Sequence, residues 1–298
     1  MKLSGFTFVR NAVRAEYPVI ESISSILPIV DEFIVNVGPD DDGTLDLIQS
    51  LKDPKIKIIQ SQWNPNAKTG GSVFAQQTNI ALFNCMGKWA FYLQADEVFH
   101  EEDLPIIVDY VGRYMDDDRV EGLAMRQFNF WGDYKTLIGV HPYWERRRCW
   151  IVKPHLFALS CGDAARFAIV PKYKKKSHKL RAIETEARLF HYFAVKTKRG
   201  LGEKYQNLQR YWGRERDQEP ELDYYRLLPR RFVTEYRGSH PKVMSELIKN
   251  HPISLDLSSP QWRTTLTREE KKQLLRHLFL SHVPDRFAGR RKYKVLKQ

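Results

Sequence analysis

Two adjacent carboxylates, Asp96 and Glu97, follow directly on the run Trp89-Ala-Phe-Tyr-Leu93-Gln94-Ala95. A short apolar run of this kind reads as a buried strand, so the acids stand at a strand end. In an open α/β sheet, ligands bind beyond the carboxyl ends of the strands. An acidic pair there can hold a hard divalent cation, Mn²⁺ or Mg²⁺, against diphosphate oxygens. The pair reads equally as the cap of a helix starting near His100-Glu-Glu-Asp-Leu104. Three further stretches carry chemistry-bearing side chains. The turn Asp40-Asp41-Asp42-Gly43-Thr44 is acidic, and Asp42 and Thr44 suit a helix start as well as a ligand. Gly70-Gly71-Ser72 precedes an apolar helix face, whose N-terminal amides would favour an anion. His191 lies inside the apolar run Leu189-Phe-His-Tyr-Phe193, where an imidazole is ordinarily a core residue with satisfied nitrogens.

These residues need a scaffold, and the N-terminal part of the chain supplies one in its pattern. Strand-like runs at Leu3–Val9, Glu32–Val37, Ile56–Gln60 and Trp89–Leu93 alternate with stretches of helical spacing at Val19–Leu27, Thr44–Leu51 and Val73–Cys85. Alternation of this kind predicts a mostly parallel sheet with helices on its faces. Ser72 suits the start of the third helix and Gly87 its stop. A helix fits Leu104–Tyr114, and strands fit Glu121–Phe130 and Arg148–Val152. Between those strands lies a loop with Trp131, Tyr134, Tyr143 and Trp144, of which Trp131, Tyr143 and Trp144 suit either packing or stacking on a sugar ring. Beyond His191 the helical spacing comes in pieces (Glu203–Tyr211, Val243–Lys249, Arg268–Leu280) broken by prolines. This divides the chain into an α/β domain over residues 1–195 and a helical, basic C-terminal subdomain over residues 196–298.

With 298 residues, 42% of them hydrophobic and 12% aromatic, the chain has enough apolar side chains for a full core. It holds no run of the roughly 20 apolar residues that span a bilayer, and its opening MKLSGFTFVRN does not read as a signal peptide. A cytoplasmic location is the expectation. Cys85, Cys149 and Cys161 are too widely spaced for a zinc motif and odd in number for a disulfide framework, so they read as structural thiols. The net charge of +12 implies an anionic partner: nucleic acid, an acidic membrane surface or a phosphorylated substrate. That charge lies downstream, in Lys172–Lys179 and in the tail from Arg286 to Lys297.

Asp42-Gly43-Thr44, Asn79 and Gln94-Ala95-Asp96-Glu97, in this order relative to the predicted strands, resemble the motifs of family 2 glycosyltransferases of the GT-A fold. The resemblance covers about residues 1–195. It implies transfer of a sugar from a nucleotide-sugar donor to an acceptor hydroxyl, with inversion at the anomeric carbon, in the synthesis of a cell-surface glycan or polysaccharide. Asp96 matches the position that coordinates the metal, with Glu97 acting through water and His191 as a later ligand whose nitrogen suits Mn²⁺. Gln94 stands where the family carries its first aspartate, with Ala95 beside it. Arg10 and Asn11 follow the first strand, where the family seats the base, and Asp40 is a further contact for that base. Asp42 and Asn79 complete the implied donor site. Inverting transfer needs a carboxylate base. Asp163, in a small-residue loop between Asp96 and His191, matches the family order, and Glu145 is its competitor unless it pairs with Arg146 or Arg148. A glycan or lipid-linked acceptor is implied. The apolar stretch Leu274–Leu280 ahead of the basic tail allows contact with an anionic membrane on its inner face. Two other readings start from the same features. A sugar-phosphate nucleotidyltransferase shares the sheet and the acids but needs a glycine-rich basic loop after its first strand, and Val9-Arg-Asn-Ala-Val13 holds no glycine. A nucleic-acid-binding module would explain the charge, but no binding motif accompanies it, and no nucleic-acid partner is expected.

Overall fold

A computed structural model describes residues 2–39, 41–139, 147–170, 176–213, 223–281 and 292–297. Asp40, Glu145, Tyr143, Trp144 and Arg286 to Arg291 lie outside the described residues. The chain begins as β1 (Leu3–Val9), α1 (Val19–Ile26), β2 (Glu32–Val37), α2 (Thr44–Gln49), β3 (Ile56–Gln60), α3 (Ser72–Phe83) and β4 (Trp89–Tyr92). The four strands are parallel, with β1 between β2 and β4 and with β3 outside β2. Every residue of β2 and β4 is buried, the polar Glu32 and Asn36 of β2 included, as expected when helices cover both faces of a sheet. In α1 the buried Val19, Ile23 and Ile26 recur at helical spacing and face the sheet, while Glu21 in its first turn complements the helix dipole. Ser72 does not cap α3. Gly71 holds that position with φ +70°, and the helix stops at Phe83, ahead of Gly87.

From here the parallel order changes. β5 (Glu97–Phe99) and α4 (Leu104–Arg113) lead into β6 (Gly122–Trp131), β7 (Thr136–Ile138) and β8 (Arg147–Val152). β8 inserts antiparallel between β4 and β6, joining this second group to the first. A small sheet of β9 (Ala158–Cys161), β10 (Arg166–Ile169) and β11 (His178–Lys179) follows. Next comes β12 (Arg181–Ala194), which runs parallel to β6 on one side and antiparallel to β5 on the other. The result is a mixed α/β architecture with a central 11-stranded sheet flanked by helices.

The C-terminal residues hold α5 (Lys198–Trp212), α6 (Tyr224–Leu227), β13 (Val233–Glu235), α7 (Ser245–Asn250), α8 (Arg268–Ser281) and β14 (Lys294–Val295). They are helical only in part, and they do not stand apart from the sheet. β13 extends it through β7, and β14 pairs parallel with the start of β12. Tyr224, Phe232 and Trp262 form a core cluster with Trp131 and Ala194. Trp131 is packing rather than a sugar platform: it is buried, and its indole N–H donates to Tyr224 O at 3.1 Å.

Candidate active site

The ladder continues past β4 with one further bond, Leu93 N to Phe6 O, and then breaks into the turn Gln94–Asp96. Glu97 closes this turn twice, its backbone N–H donating to Gln94 O at 3.0 Å and its Oε2 accepting from Gln94 N at 2.9 Å. The register of β5 on β12 puts Glu97 opposite His191, and the register of β6 puts Asn129 on the other side of His191. Sheet pairing therefore brings the strand-end acid and the distant histidine together. Asp96 Oδ1 lies 3.5 Å from His191 Nε2, and Asp96 O accepts from Tyr192 N at 2.8 Å. The other carboxylate oxygen, Oδ2, accepts from Lys204 Nζ at 2.6 Å.

Asp96 is 4% exposed and His191 5%. Burial pushes the Asp96 carboxyl up, but the Lys204 ammonium and the His191 ring outweigh it and hold the group well below the usual carboxylate range. Burial lowers the His191 ring against the pull of Asp96, which keeps it neutral. Gln127 orients that ring. Its Oε1 accepts from Arg148 Nε at 2.9 Å, its Nε2 faces His191 Nδ1 at 3.0 Å, and Asn129 Oδ1 stands 2.8 Å from the same nitrogen. Nε2 is thereby held toward Asp96. Glu97 does not join the pair. Its Oε1 accepts from Trp150 Nε1 at 3.0 Å, its Oε2 is taken by the turn, and burial pushes its pKa up to about 7.

The donor set fits a divalent cation in one form only. One carboxylate oxygen and one imidazole nitrogen converge, and among the described residues no group of three His, Cys, Asp or Glu side chains is arranged to hold a metal. Such a pair suits an ion that completes its shell with diphosphate oxygens and water, as Mg²⁺ and Mn²⁺ do at nucleotide sites.

Beyond the C-terminal ends of β1 and β4 lies a cavity of about 160 Å³, lined in part by Arg10, Gln94, Ala95, Asp96 and Asp163. Asp163 comes from the turn between β9 and β10, and Asn79 holds that turn in place: its amide accepts from Ser160 N at 2.8 Å and donates to Ser160 O at 3.1 Å. Asn79 is thus spent on the backbone of β9 rather than on the cavity. Asp42 is likewise engaged. Its Oδ1 accepts from Thr44 N and Thr44 Oγ1 at 3.1 and 2.6 Å, and its Oδ2 from Arg14 N at 2.8 Å. With Thr44 Oγ1 accepting from Ala12 N at 2.7 Å, it clasps the segment after β1. Asn11 sits in that segment with φ +52°, and its buried Oδ1 has no hydrogen-bond partner among the described residues.

Tyr17 and a cluster of four further aromatic rings wall the cavity. Phe8, Trp63, Phe74 and Tyr211 pack at centroid distances of 5.3 to 6.0 Å, and the Arg10 guanidinium lies 5.6 Å over the Trp63 ring while it donates to Tyr211 O–H and, at 2.8 Å, to Pro39 O. The sequence motifs do not reveal Trp63 or Phe74, nor do they reveal α5 as a wall of the site. A signal for α5 is nonetheless present: Lys204, Asn207, Leu208 and Tyr211 fall at helical spacing on one face and all line the cavity. Their mixed chemistry suits a ligand-facing stripe better than a core stripe. Lys196 carries no motif either. It is 1% exposed, its Nζ donates to Glu16 O at 2.7 Å and stacks 4.2 Å over the Tyr17 ring, and burial together with the nearby Lys204 charge pulls it down to about 7.

No family model matches the chain, and no curated protein does. Among solved structures it is similar to S. aureus TarS, with 20% identity over 43% of this chain and 22% of that one at a TM-score of 0.32. Residues 1–349 of TarS match at 17% identity over 53% and 48% of the two chains, TM-score 0.35. The same fragment in complex with UDP-GlcNAc matches at 23% identity over 44% and 35%, TM-score 0.32. The chain thus spans from about a fifth to about a half of the TarS chains to which it is similar.

Proposed function

We propose that this chain is a GT-A-type glycosyltransferase that takes a sugar from a nucleotide-sugar donor and delivers it, with inversion, to an acceptor hydroxyl. The observation that carries the reading is the meeting of Arg10, Gln94, Asp96 and Asp163 on one cavity beyond the ends of β1 and β4, the position where open α/β sheets take ligands. The Trp63 and Phe8 faces would receive the base by stacking, with Arg10 beside them. Asp96 and His191 would hold Mn²⁺ or Mg²⁺. When bound, that cation neutralises charge on the leaving diphosphate. Asp163 takes the proton of the acceptor hydroxyl as its oxygen bonds to the anomeric carbon, and the carbon–oxygen bond to the diphosphate breaks with its electron pair going to the diphosphate. The acceptor in this reading is a glycan or a lipid-linked sugar.

The test is turnover of a panel of nucleotide sugars in Mn²⁺ or Mg²⁺, with and without EDTA, by wild type and by Asp96→Asn. One donor is expected to turn over in the metal and not in EDTA, and Asp96→Asn is expected to lower turnover by about 100-fold or more. A folded wild-type protein that binds and hydrolyses no nucleotide sugar in either metal overturns the reading. Undiminished turnover by Asp96→Asn overturns the site.

A further inference from the structure

A carboxylate as buried as that of Asp96 needs a positive partner in every state of the molecule, because an uncompensated buried charge costs several kcal/mol. In this structure the partner is Lys204. Its Nζ reaches Asp96 Oδ2 at 2.6 Å and Phe193 O at 2.9 Å, with the Tyr17 and Phe193 rings 5.5 and 5.3 Å away, and the two side chains are 14% and 6% exposed. A lysine and a divalent cation on one carboxylate repel each other across a poorly screened interior. They can share the site only if a strong anion arrives with the metal.

We infer that Lys204 is a built-in counter-ion that keeps free divalent cations off Asp96 and turns its ammonium to the donor diphosphate when metal and donor bind together. This rests on the transferase reading of the site, and it adds that metal and nucleotide each enter poorly alone. The coupling is reciprocal: a nucleoside diphosphate tightens the metal by the same factor as the metal tightens the nucleotide. Lys204 reaches the site from α5, whose first turn is fastened to the segment after β1. Glu16 Oε2 accepts from Thr197 N at 2.7 Å, and Gly200 packs directly on the Glu16 carboxyl. The lysine is thus presented by an anchored helix rather than by a loose loop.

Calorimetry with Mn²⁺ alone, no nucleotide present, tests this on wild type, Lys204→Gln and Lys204→Arg, with folding checked by thermal melts. Lys204→Gln should bind Mn²⁺ at least about tenfold more tightly than wild type, a change of about 1.4 kcal/mol. Lys204→Arg, which keeps the charge, should match wild type, and Asp96→Asn in the Lys204→Gln background should abolish the gain. In wild type, UDP should tighten Mn²⁺ by a similar factor. A folded Lys204→Gln protein that binds Mn²⁺ no better than wild type, or a gain that survives Asp96→Asn, overturns the inference. If Lys204→Gln does not fold, the wild-type titration decides, and Mn²⁺ affinity indifferent to UDP overturns it. Tightening in Lys204→Gln with no nucleotide-sugar turnover by wild type would keep the counter-ion and reject the transferase.

Discussion

At the scale of single residues, Gly38 shows how tightly the aromatic wall is set. A Cβ built on Gly38 would lie 2.4 Å from Trp63 Nε1, inside the contact distance of any two heavy atoms, so Gly38→Ala must move the indole. Trp63 lines the cavity and carries the Arg10 guanidinium on its face, and the three atoms nearest the added Cβ all belong to Trp63 rather than to Asp96 or Asp163. The expected outcome is a donor KM raised by about tenfold with kcat within a few-fold of wild type, the pattern of lost uniform binding. Steady-state kinetics on the active donor measures it, and an unchanged KM would separate Trp63 from donor binding. Asp96 is legible in the sequence as a strand-end acid, because a buried apolar run that stops abruptly in charge marks the point where a strand leaves the core. Asp42 and Asn79 are legible as polar residues at the right place but not in their use. Whether an amide or carboxylate meets a ligand or a backbone is decided by the neighbouring turn, and that turn is set by residues far along the chain. Lys204 and Trp63 belong to no motif at all.

At the scale of elements, the strands β1 to β4 and the helices between them match the predicted bounds closely; period and burial agree in α1, whereas α3 buries Gln77 and Thr78 with its apolar residues and no residue of β3 is fully buried. The apolar pattern shows β12 only at its C-terminal end, Leu189–Phe193. Its first half, Arg181-Ala-Ile-Glu-Thr-Glu-Ala-Arg188, alternates in burial from Ile183 onward and carries charge on its outer face, which hides a strand among polar residues. The segment between β13 and α7 is clipped to β12 by His240. Tyr192 O–H donates to His240 Nδ1 at 2.9 Å, and His240 Nε2–H donates to Tyr134 O at 2.9 Å, so the ring is used as the neutral form. Burial holds its pKa down at about 4, below the ordinary 6.5. The unfolded chain takes up this proton as pH falls through about 6.5, and the folded chain resists it until about 4, so the clip is fully present above 6.5 and is lost on acidification toward 4. His240→Gln removes both the clip and the titration. It should be less stable than wild type by about 1–3 kcal/mol at neutral pH, and the gap should narrow steadily as the pH is lowered to about 4.5. Urea unfolding of both proteins across that range checks this, and a gap that stays constant would mean that His240 does not titrate as described.

At the scale of the whole molecule, the charge of +12 and the exposed surface of α8 belong to one question. No helix among the described residues is long and apolar enough to cross a membrane. Leu275 and Leu278 are 67% and 50% exposed, and Lys271, Lys272 and Arg276 are exposed around them. Apolar side chains set among cations are what an anionic lipid surface takes up. The protein should float with anionic liposomes at low salt and not with neutral ones, and Leu275→Asp with Leu278→Asp should reduce flotation severalfold without lowering the melting temperature. Flotation that ignores lipid charge, or that survives the double change, rejects the contact. One arrangement also governs how the molecule is made. Asp96 and Lys204 are 108 residues apart in sequence, and His191 and Asn129 are 62 apart, yet Lys204 and His191 both reach the Asp96 carboxylate while Asn129 holds the other nitrogen of the His191 ring. Closing loops of that length is slow, because their entropy must be given up before the contacts form. Among the parallel pairings at the start of the chain, β1 on β2 (Ser4 with Glu32) and β2 on β3 (Phe33 with Ile56) bring together the nearer residues and can form before the pairing of β1 on β4, which joins Leu3 to Trp89. The charge cluster can form only once β12 has docked between β5 and β6 and α5 has followed it, so a refolding chain is expected to regain the pairing of β1, β2 and β3 before its active site.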